Sequence, residues 1–599
     1  MDIRPVANTQ VLMKSSVPRS IGLLILAAGL PLIPQTQAQP NTNLVVVAFN
    51  TTNSTRLNQG FAGFTTELLG TGIEYGDTNM QHFAAMLSPG WLLFPAGTTG
   101  DAFDWSTGLT VSNWVDEIGM REGPNSNASN LCQVTYLALM GKGGAQFTNF
   151  ASLADNLGGA KIIVCVNGFT DTNTSAGAFA AFALSNHIPV AAWELCNEPY
   201  LFQGSNNFFT NGTDYANRMR PYRDAIKAAD SNAVVAVFFS DPGRAGMSWN
   251  NDLGNYTNQY WDAVAYHHYP ELPTDSSFAD LMAMDNGILF TNTYYVTNTL
   301  IPKNKSNVTI LLTEANPTLG NGDGTQNPPT STLYGGIYGA EYVMRLSVLP
   351  QMSFAGTYQL VNPSGVDTTN QFRNAVTKAA GNYVTNTVGL PFGYFLSAQG
   401  SAEAVAYWAI NRSIAVYATT VGTNGPTVPM DTNGIATIPA VYAQAYQGGN
   451  GKRYVVLTNK GSNAAPVQIT EDGLALTNEL LETFVTGSDP SVINTNPPLN
   501  NVVIQSQTTN SPVTIPQYSV VRLEWTVFKV PSPAISVSLT NSTPTLQWDG
   551  LTNVVYDVQD VTNLSGTWAT LGKVSSAGTN FLFADPNIGL LRFYRLLVP

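Results

Sequence analysis

Ile188-Pro189-Val190-Ala191-Ala192-Trp193 runs as an apolar, strand-like segment into Glu194-Leu195-Cys196-Asn197-Glu198-Pro199, where proline stops regular structure at once. A carboxylate at the tip of an apolar strand, with an amide before it and proline behind, suits an acid poised at a cleft. The same residues also suit a strand that ends in a polar turn. The rest of the chain decides between the two.

Outward from this stretch, strand-like runs alternate with segments of helical periodicity. The strand candidates are Phe61–Thr65, Trp91–Phe94, Lys161–Val166, Val190–Trp193, Ala233–Phe239, Ala263–Tyr266, Thr309–Thr313 and Phe354–Leu360, with helices such as Tyr215–Ala229 and Tyr338–Leu346 between them. Eight alternating units in about 300 residues predict an α/β fold, a (β/α)8 TIM barrel over residues 59–384. An open doubly wound sheet would require a Gly-rich dinucleotide loop after its first strand, and none is present.

From residue 385 the pattern changes to short alternating runs punctuated by Gly, Asn and Pro: Ala404–Ile410, Ser413–Ala418, Arg453–Thr458 and Ser519–Trp525. These predict an accompanying antiparallel β-sandwich over 385–528. The early strand Leu44–Phe49, within 39–58, is expected to join it because a barrel brings its two ends together. Gly448-Gly449-Asn450-Gly451-Lys452 lacks P-loop spacing and reads as a hairpin turn. Val530-Pro531-Ser532-Pro533 marks a stiff linker at 529–534. Residues 535–599 form a small C-terminal all-β module with strands at Thr545–Trp548, Val554–Val558 and Arg592–Leu597. Its Trp548 and Trp568 read first as core residues and second as platforms for sugar rings.

Charged residues make up 11% of the chain, well below the roughly 25% usual in soluble domains. Asn, Thr, Gly and Ser fill the difference, a surface style of secreted, sugar-handling β-rich proteins. With 26 basic and 39 acidic residues the net charge is -13, which disfavours nucleic acid and anionic membranes as partners. Residues 1–38 read as a signal peptide: Arg4, Lys14 and Arg19 precede the apolar run Ile21–Ile33, and Thr36-Gln37-Ala38 supplies small residues at the cleavage position. The mature chain is therefore expected outside the cytoplasm, secreted or periplasmic, with no membrane span. Cys132, Cys165 and Cys196 are odd in number and lack metal-ligand spacing, and the latter two lie in apolar runs that suit buried free thiols.

In such a barrel the site lies at the carboxyl ends of the strands. The polar residues there are Glu67, Thr98 with Asp101, Asn167, Asn197 with Glu198, Asp241, His267 with Tyr269, Glu314, and Tyr358 with Gln359. Glu198 and Glu314 close the fourth and seventh apolar strands, and paired carboxylates across a barrel mouth suit glycosidic bond cleavage. That chemistry needs one group protonated and the other ionised, and it requires no metal and no cofactor. His267 and Tyr269 share a strand face by alternation, while His268 points the other way.

Trp193-Glu194-Leu195-Cys196-Asn197-Glu198-Pro199 resembles the Trp-Glu-Leu-Gly-Asn-Glu-Pro signature of retaining glycoside hydrolases of clan A, above all family 79, the heparanases and β-glucuronidases. The β-xylosidase and arabinofuranosidase families look similar. Tyr266-His267-His268-Tyr269 matches the sixth-strand His-x-Tyr element, and Pro516–Trp525 resembles the last strand of the companion sandwich. Phe94–Asp101 resembles the second-strand Arg-Tyr-Pro-Gly-Gly-Thr-x-x-Asp motif, with Leu93 where arginine is usual and Ala96 where glycine is.

The resemblance spans residues 44 to 527. It implies Glu198 as acid/base and Glu314 as nucleophile, with Tyr269 in contact with the nucleophile; of the strand-tip set, Asn197, His267, Tyr269, Glu67, Thr98, Asp101 and Tyr358 are expected at the carbohydrate substrate. Arg121 and Arg244 are the nearest basic residues in barrel loops for a substrate carboxylate. A non-catalytic carbohydrate-binding surface protein is the competing class. Neither a Gly-x-Ser-x-Gly elbow nor a His-Glu-x-x-His pair is present, and Asn321-Gly322-Asp323-Gly324 lacks the later glutamate of a calcium loop.

Overall fold

The computed structural model describes residues 43–597 apart from 67, 69–72, 96, 112–135, 138, 142–143, 203–207, 242–247, 270, 273–292, 317, 320–331, 364–375, 379–393, 430–436, 478, 495–500, 528–534, 541–542, 550–554, 563–566, 576–577, 579 and 586–591. The expectations for residues 1–38, Glu67, Arg121, Cys132, Arg244, the 321–324 loop and the 529–534 linker therefore lie outside the described residues.

Eight parallel strands close into a barrel in sequential order. After an initial strand β1 (Val45–Arg56), they are β2 (Ala62–Thr65), β3 (Trp91–Phe94), β4 (Lys161–Val166), β5 (Val190–Leu195), β6 (Val235–Phe238), β7 (Ala263–His268), β8 (Thr309–Ala315) and β9 (Met352–Tyr358). Each coincides with one of the apolar runs named above. Near-continuous Val, Ile, Leu and Ala is what a strand covered on both faces needs. The bottom of the barrel is filled by Trp91, fully buried, whose indole N–H donates to the Phe61 carbonyl at 3.0 Å. Gly63 and Gly356 pair beside it, and a Cβ at Gly356 would stand 2.1 Å from the Gly63 carbonyl oxygen, so only glycine fits there.

The helices α1 (Thr78–Met86), α2 (Phe147–Asn156), α3 (Asn173–Ser185), α4 (Gly212–Ala229), α5 (Ser248–Gly254), α6 (Leu333–Ser347) and α7 (Ala398–Arg412) include those flanking the barrel. Helix α7 corrects the expectation of a strand at Ala404–Ile410 and of a sandwich beginning at 385. It packs on α6, on β2 and on sandwich strands, and almost every residue along it is buried. A helix covered on all sides has no polar stripe, so Ala404–Ile410 carries no 3.6-residue signal and mimics alternation. The local cue was Ser397, whose side chain caps the helix by accepting from Gly400 N–H at 2.8 Å.

The first sandwich strand after the barrel is Ser413–Val421, to which β1 pairs antiparallel, as expected for the early strand. Val441–Gly448 and Lys452–Asn459 form the predicted hairpin. Along the latter, Tyr454 and Val456 pack into the core shared with the barrel helices, while Val455 and Leu457 pack into the inner core of the sandwich. The two bodies are also joined by Glu341 of α6, buried between Lys460 (3.2 Å) and Arg345 (2.7 Å). Burial acts to raise its carboxyl, but the two cations outweigh that and hold it at about 2.

The C-terminal module is two three-stranded antiparallel sheets around Leu546, Trp548, Tyr556, Val558 and Phe581. Trp548 is buried and stacks on Phe581, which makes it core and not a sugar platform. Trp568 is half-buried, with the Arg595 guanidinium 4.4 Å from its ring centre.

Glu403, on the buried face of α7 against the barrel, accepts from Gln399 at 2.9 Å. Burial raises its carboxyl to about 8, against the hydrogen bonds from Gln399 and Thr357. The folded chain thus keeps a proton that the unfolded chain releases near the ordinary value of 4.5, and stability falls as pH rises from there to about 8. Glu403→Gln is expected to flatten that loss by up to about 1.4 kcal/mol per pH unit, read from urea unfolding at pH 5.0 and 7.5. An unchanged pH slope would mean that Glu403 is ionised in the fold.

Candidate active site

Two non-glycine residues in the left-handed region turn the chain out of β5: Cys196 at φ 67° and Glu198 at φ 41°. The Cys196 N–H stays on the ladder, donating to the Val166 carbonyl at 3.0 Å. Cys196 stands where the resembled motif has glycine, which its φ explains. Its thiol is accommodated because residue 168 is glycine; a Cβ there would come within 2.4 Å of Cys196 Sγ. Cys165 and Cys196 are buried free thiols, as the sequence predicts.

The turn is held by Asp101, whose Oδ1 accepts the Asn197 backbone N–H at 2.9 Å. Asp101 was expected to touch substrate, but it is fully buried beneath the turn and acts as its support. Asn167 is likewise structural: it accepts from the Phe169 and Thr170 N–H groups and donates to the Phe103 carbonyl. Leu93, in the place of the usual arginine, is buried in the barrel wall.

The fold brings Glu198, Glu314, His267 and Tyr269 together. Nδ1 of His267 lies 3.1 Å from Glu198 Oε1 and 3.3 Å from Glu314 Oε2. The two carboxylate oxygens are therefore no further apart than those two distances laid end to end. Tyr269 donates its phenol to Glu314 Oε2 at 2.6 Å, and Tyr200 donates to Glu198 Oε1 at 2.8 Å. His267 is packed edge-on against Phe238 at 4.7 Å, which fixes the ring plane. His268 does point away, with Nδ1 3.0 Å from Asp241 Oδ2.

Tyr358 ends β9 with its ring 6.0 Å from that of Tyr269, and the Tyr358–Gln359 peptide is cis. Asn316, two residues beyond Glu314, donates its side-chain amide to the Tyr358 carbonyl and accepts from Gln399 at 3.1 Å, tying this rim to α7. Asn197 is buried in the turn beside Glu198. Thr98 opens the short turn after β3, and its side chain lies outside the described residues.

Sequence reasoning missed Tyr200, Glu194 and Asn316. Tyr200 reaches Glu198 only because Pro199–Phe202 forms a 3-10 turn. Glu194 is read as one more strand residue, yet it is buried inside the barrel, and burial with the nearby Glu198 charge raises its carboxyl to about 8 despite a hydrogen bond from Thr313. No group of three or more His, Cys, Asp or Glu among the described residues is arranged to hold a metal ion. No helix among them is long and apolar enough to cross a membrane.

The chain has a (β/α)8 barrel with a companion β-sandwich. No family model matches it, and no curated protein matches it. Solved structures do. The GH51 arabinofuranosidase from Xanthomonas axonopodis pv. citri superposes with a TM-score of 0.60 at 15% identity, over 80% of this chain and 99% of that one. The alpha-L-arabinofuranosidase of Thermotoga maritima gives 0.58 at 17% identity, over 81% and 100%. A 4-O-alpha-L-rhamnosyl-beta-D-glucuronidase from Fusarium oxysporum gives 0.50 at 15% identity, over 80% and 100%. At these identities the likeness is one of fold.

Proposed function

We propose that the protein is an exported, retaining glycoside hydrolase that cleaves β-glycosidic bonds of poly- or oligosaccharides by double displacement. The observation that carries this reading is the single His267 nitrogen within reach of both Glu198 and Glu314. Carboxyl groups about 5–5.5 Å apart leave room for direct attack on the anomeric carbon, whereas inversion needs roughly 6.5–9.5 Å to seat a water.

In the first step Glu198 protonates the leaving oxygen while Glu314 attacks to form a glycosyl-enzyme. In the second, Glu198 takes a proton from water, which displaces the sugar from Glu314. Tyr269 and His267 stabilise charge on Glu314 and orient it; Tyr200 and His267 do the same for Glu198. Proton NMR of the first product anomer is expected to show retained configuration, and net inversion would overturn the reading.

The sugar we propose is a β-glucuronide or heparanase-type substrate, on the strength of the Trp193–Pro199 motif. A furanosidase reading has its own support in the fold shared with two arabinofuranosidases over about four-fifths of the chain. Aryl β-glucuronide, β-xyloside, β-galactoside and α-L-arabinofuranoside assayed side by side separate them: preference for the glucuronide supports the first and preference for the arabinofuranoside the second. Absence of hydrolysis with retained sugar binding would instead favour a carbohydrate-binding protein. Export through removal of residues 1–38 predicts a mature N-terminus at Gln39, checked by N-terminal sequencing of the processed protein.

A further inference from the structure

The double displacement leaves one buried acid of β5 unused. Glu194 is 1% exposed; its Oε1 accepts from Thr313 Oγ1 at 3.1 Å and stands 3.9 Å from Nε2 of His267. Strands β5 and β8 are not neighbours, since β6 and β7 separate them, so this contact crosses the barrel interior.

Thr313 is itself unusual. Along the pairing of β8 with β7, Leu312 faces Tyr266 and Glu314 faces His267, which leaves Thr313 as the extra residue of a bulge. On a regular strand, consecutive side chains point to opposite faces. Here Thr313 meets Glu194 while Glu314 meets Tyr269 and His267, and a bulge is the device that re-aims a side chain in this way. The bulge is held at two points: Thr65 Oγ1 donates to the Thr313 carbonyl at 2.7 Å, and the Thr313 hydroxyl, forced into the interior, has Glu194 as its acceptor.

We propose that Glu194 is a positioning residue for Glu314: from across the barrel it anchors the bulge at Thr313, and it backs the imidazole that bridges the two carboxylates. The inference rests on the assignment of Glu314 as nucleophile. The titratable groups that interact with Glu194 are His267, Glu198, the Cys165 thiol on β4 and the Tyr215 phenol, and Glu314 is reached through His267. A neutral Glu194 keeps a further negative charge out of the space between them, in accord with its raised carboxyl.

Three variants test this. Glu194→Gln keeps both the acceptor and the neutrality, Glu194→Leu removes the acceptor, and Thr313→Val removes the donor at constant shape. The Gln variant is expected to keep kcat within about threefold, while the Leu and Val variants lose roughly 100-fold with KM little changed, as a misplacement of about 1 Å does. The double variant Glu194→Leu/Thr313→Val is expected to be no slower than the slower single, because both remove one contact. If Glu194→Leu does not fold, Thr313→Val carries the test alone. A second readout needs no substrate. The chain has only four histidines, so imidazole nitrogen NMR can follow His267; besides the steps set by Glu198, Glu314 and the ring itself, its resonances should show a step as Glu194 ionises, and that step should be lost in Glu194→Gln.

Wild-type kcat in Thr313→Val, equal losses in the Gln and Leu variants, or identical His267 titrations in wild type and Glu194→Gln would each overturn the proposal. If no glycoside is turned over while the Glu194 step in the His267 response is still lost in Glu194→Gln, the cross-barrel coupling stands and the glycosidase reading falls.

Discussion

Glu314→Gln is expected to abolish turnover, with kcat lower by at least about 10^4-fold, the scale on which loss of a nucleophile acts. The amide has the shape of the carboxylate and can still accept from Tyr269, so the fold and substrate binding are preserved. It has no anionic oxygen to attack the anomeric carbon, so no glycosyl-enzyme forms. The measurement is steady-state release of an aryl aglycone from the best glycoside of the panel, with a thermal melt as the folding control. Glu314 Oε2 is held by both Tyr269 and His267. Turnover within tenfold of wild type in a clean preparation would remove Glu314 as the nucleophile.

Removing Glu198 is expected to have an effect that depends on the leaving group. For an alkyl or sugar aglycone, which departs only with a proton, Glu198→Ala loses about 10^2- to 10^4-fold, the usual share of a general acid. For an acidic phenol the first step needs no proton. The glycosyl-enzyme then accumulates because no base activates water, and a burst is expected before slow turnover. Azide, an anion that needs no base and fits the space left by the side chain, should restore turnover and yield a glycosyl azide of retained configuration. Equal losses for both kinds of aglycone, with no response to azide, would show that Glu198 acts other than as acid and base.

The pattern of legible and illegible features has a physical cause. Barrel strands were readable because a strand buried on both faces must be continuously apolar, as in Lys161–Val166, and because proline or a polar tip marks its end, as at Pro199. Their count and spacing leave few alternatives to closure. The sixth-strand pair was readable by alternation: His267 and Tyr269 do converge on Glu314, and His268 turns to Asp241. Helix α7 was not readable, because a helix enclosed by barrel and sandwich presents no polar face. Asp101 was placed at the substrate by its motif, yet its carboxylate is spent on the Asn197 backbone.

By itself the sequence determined the periodicities and the chemistry of the strand tips: eight apolar runs, two glutamates at the ends of the fourth and seventh, and a histidine and tyrosine on one face of the sixth. These are local properties, set by which side of a strand a residue takes and where the strand stops. Tertiary structure alone decided that one imidazole nitrogen would lie within reach of both carboxylates, that Tyr200 would fold back onto Glu198, and that a bulge would turn Thr313 towards Glu194 across the barrel. The first and third join residues of different strands, so their geometry follows from barrel closure, strand register and a one-residue slip, whereas the Tyr200 contact is made within the 3-10 turn Pro199–Phe202.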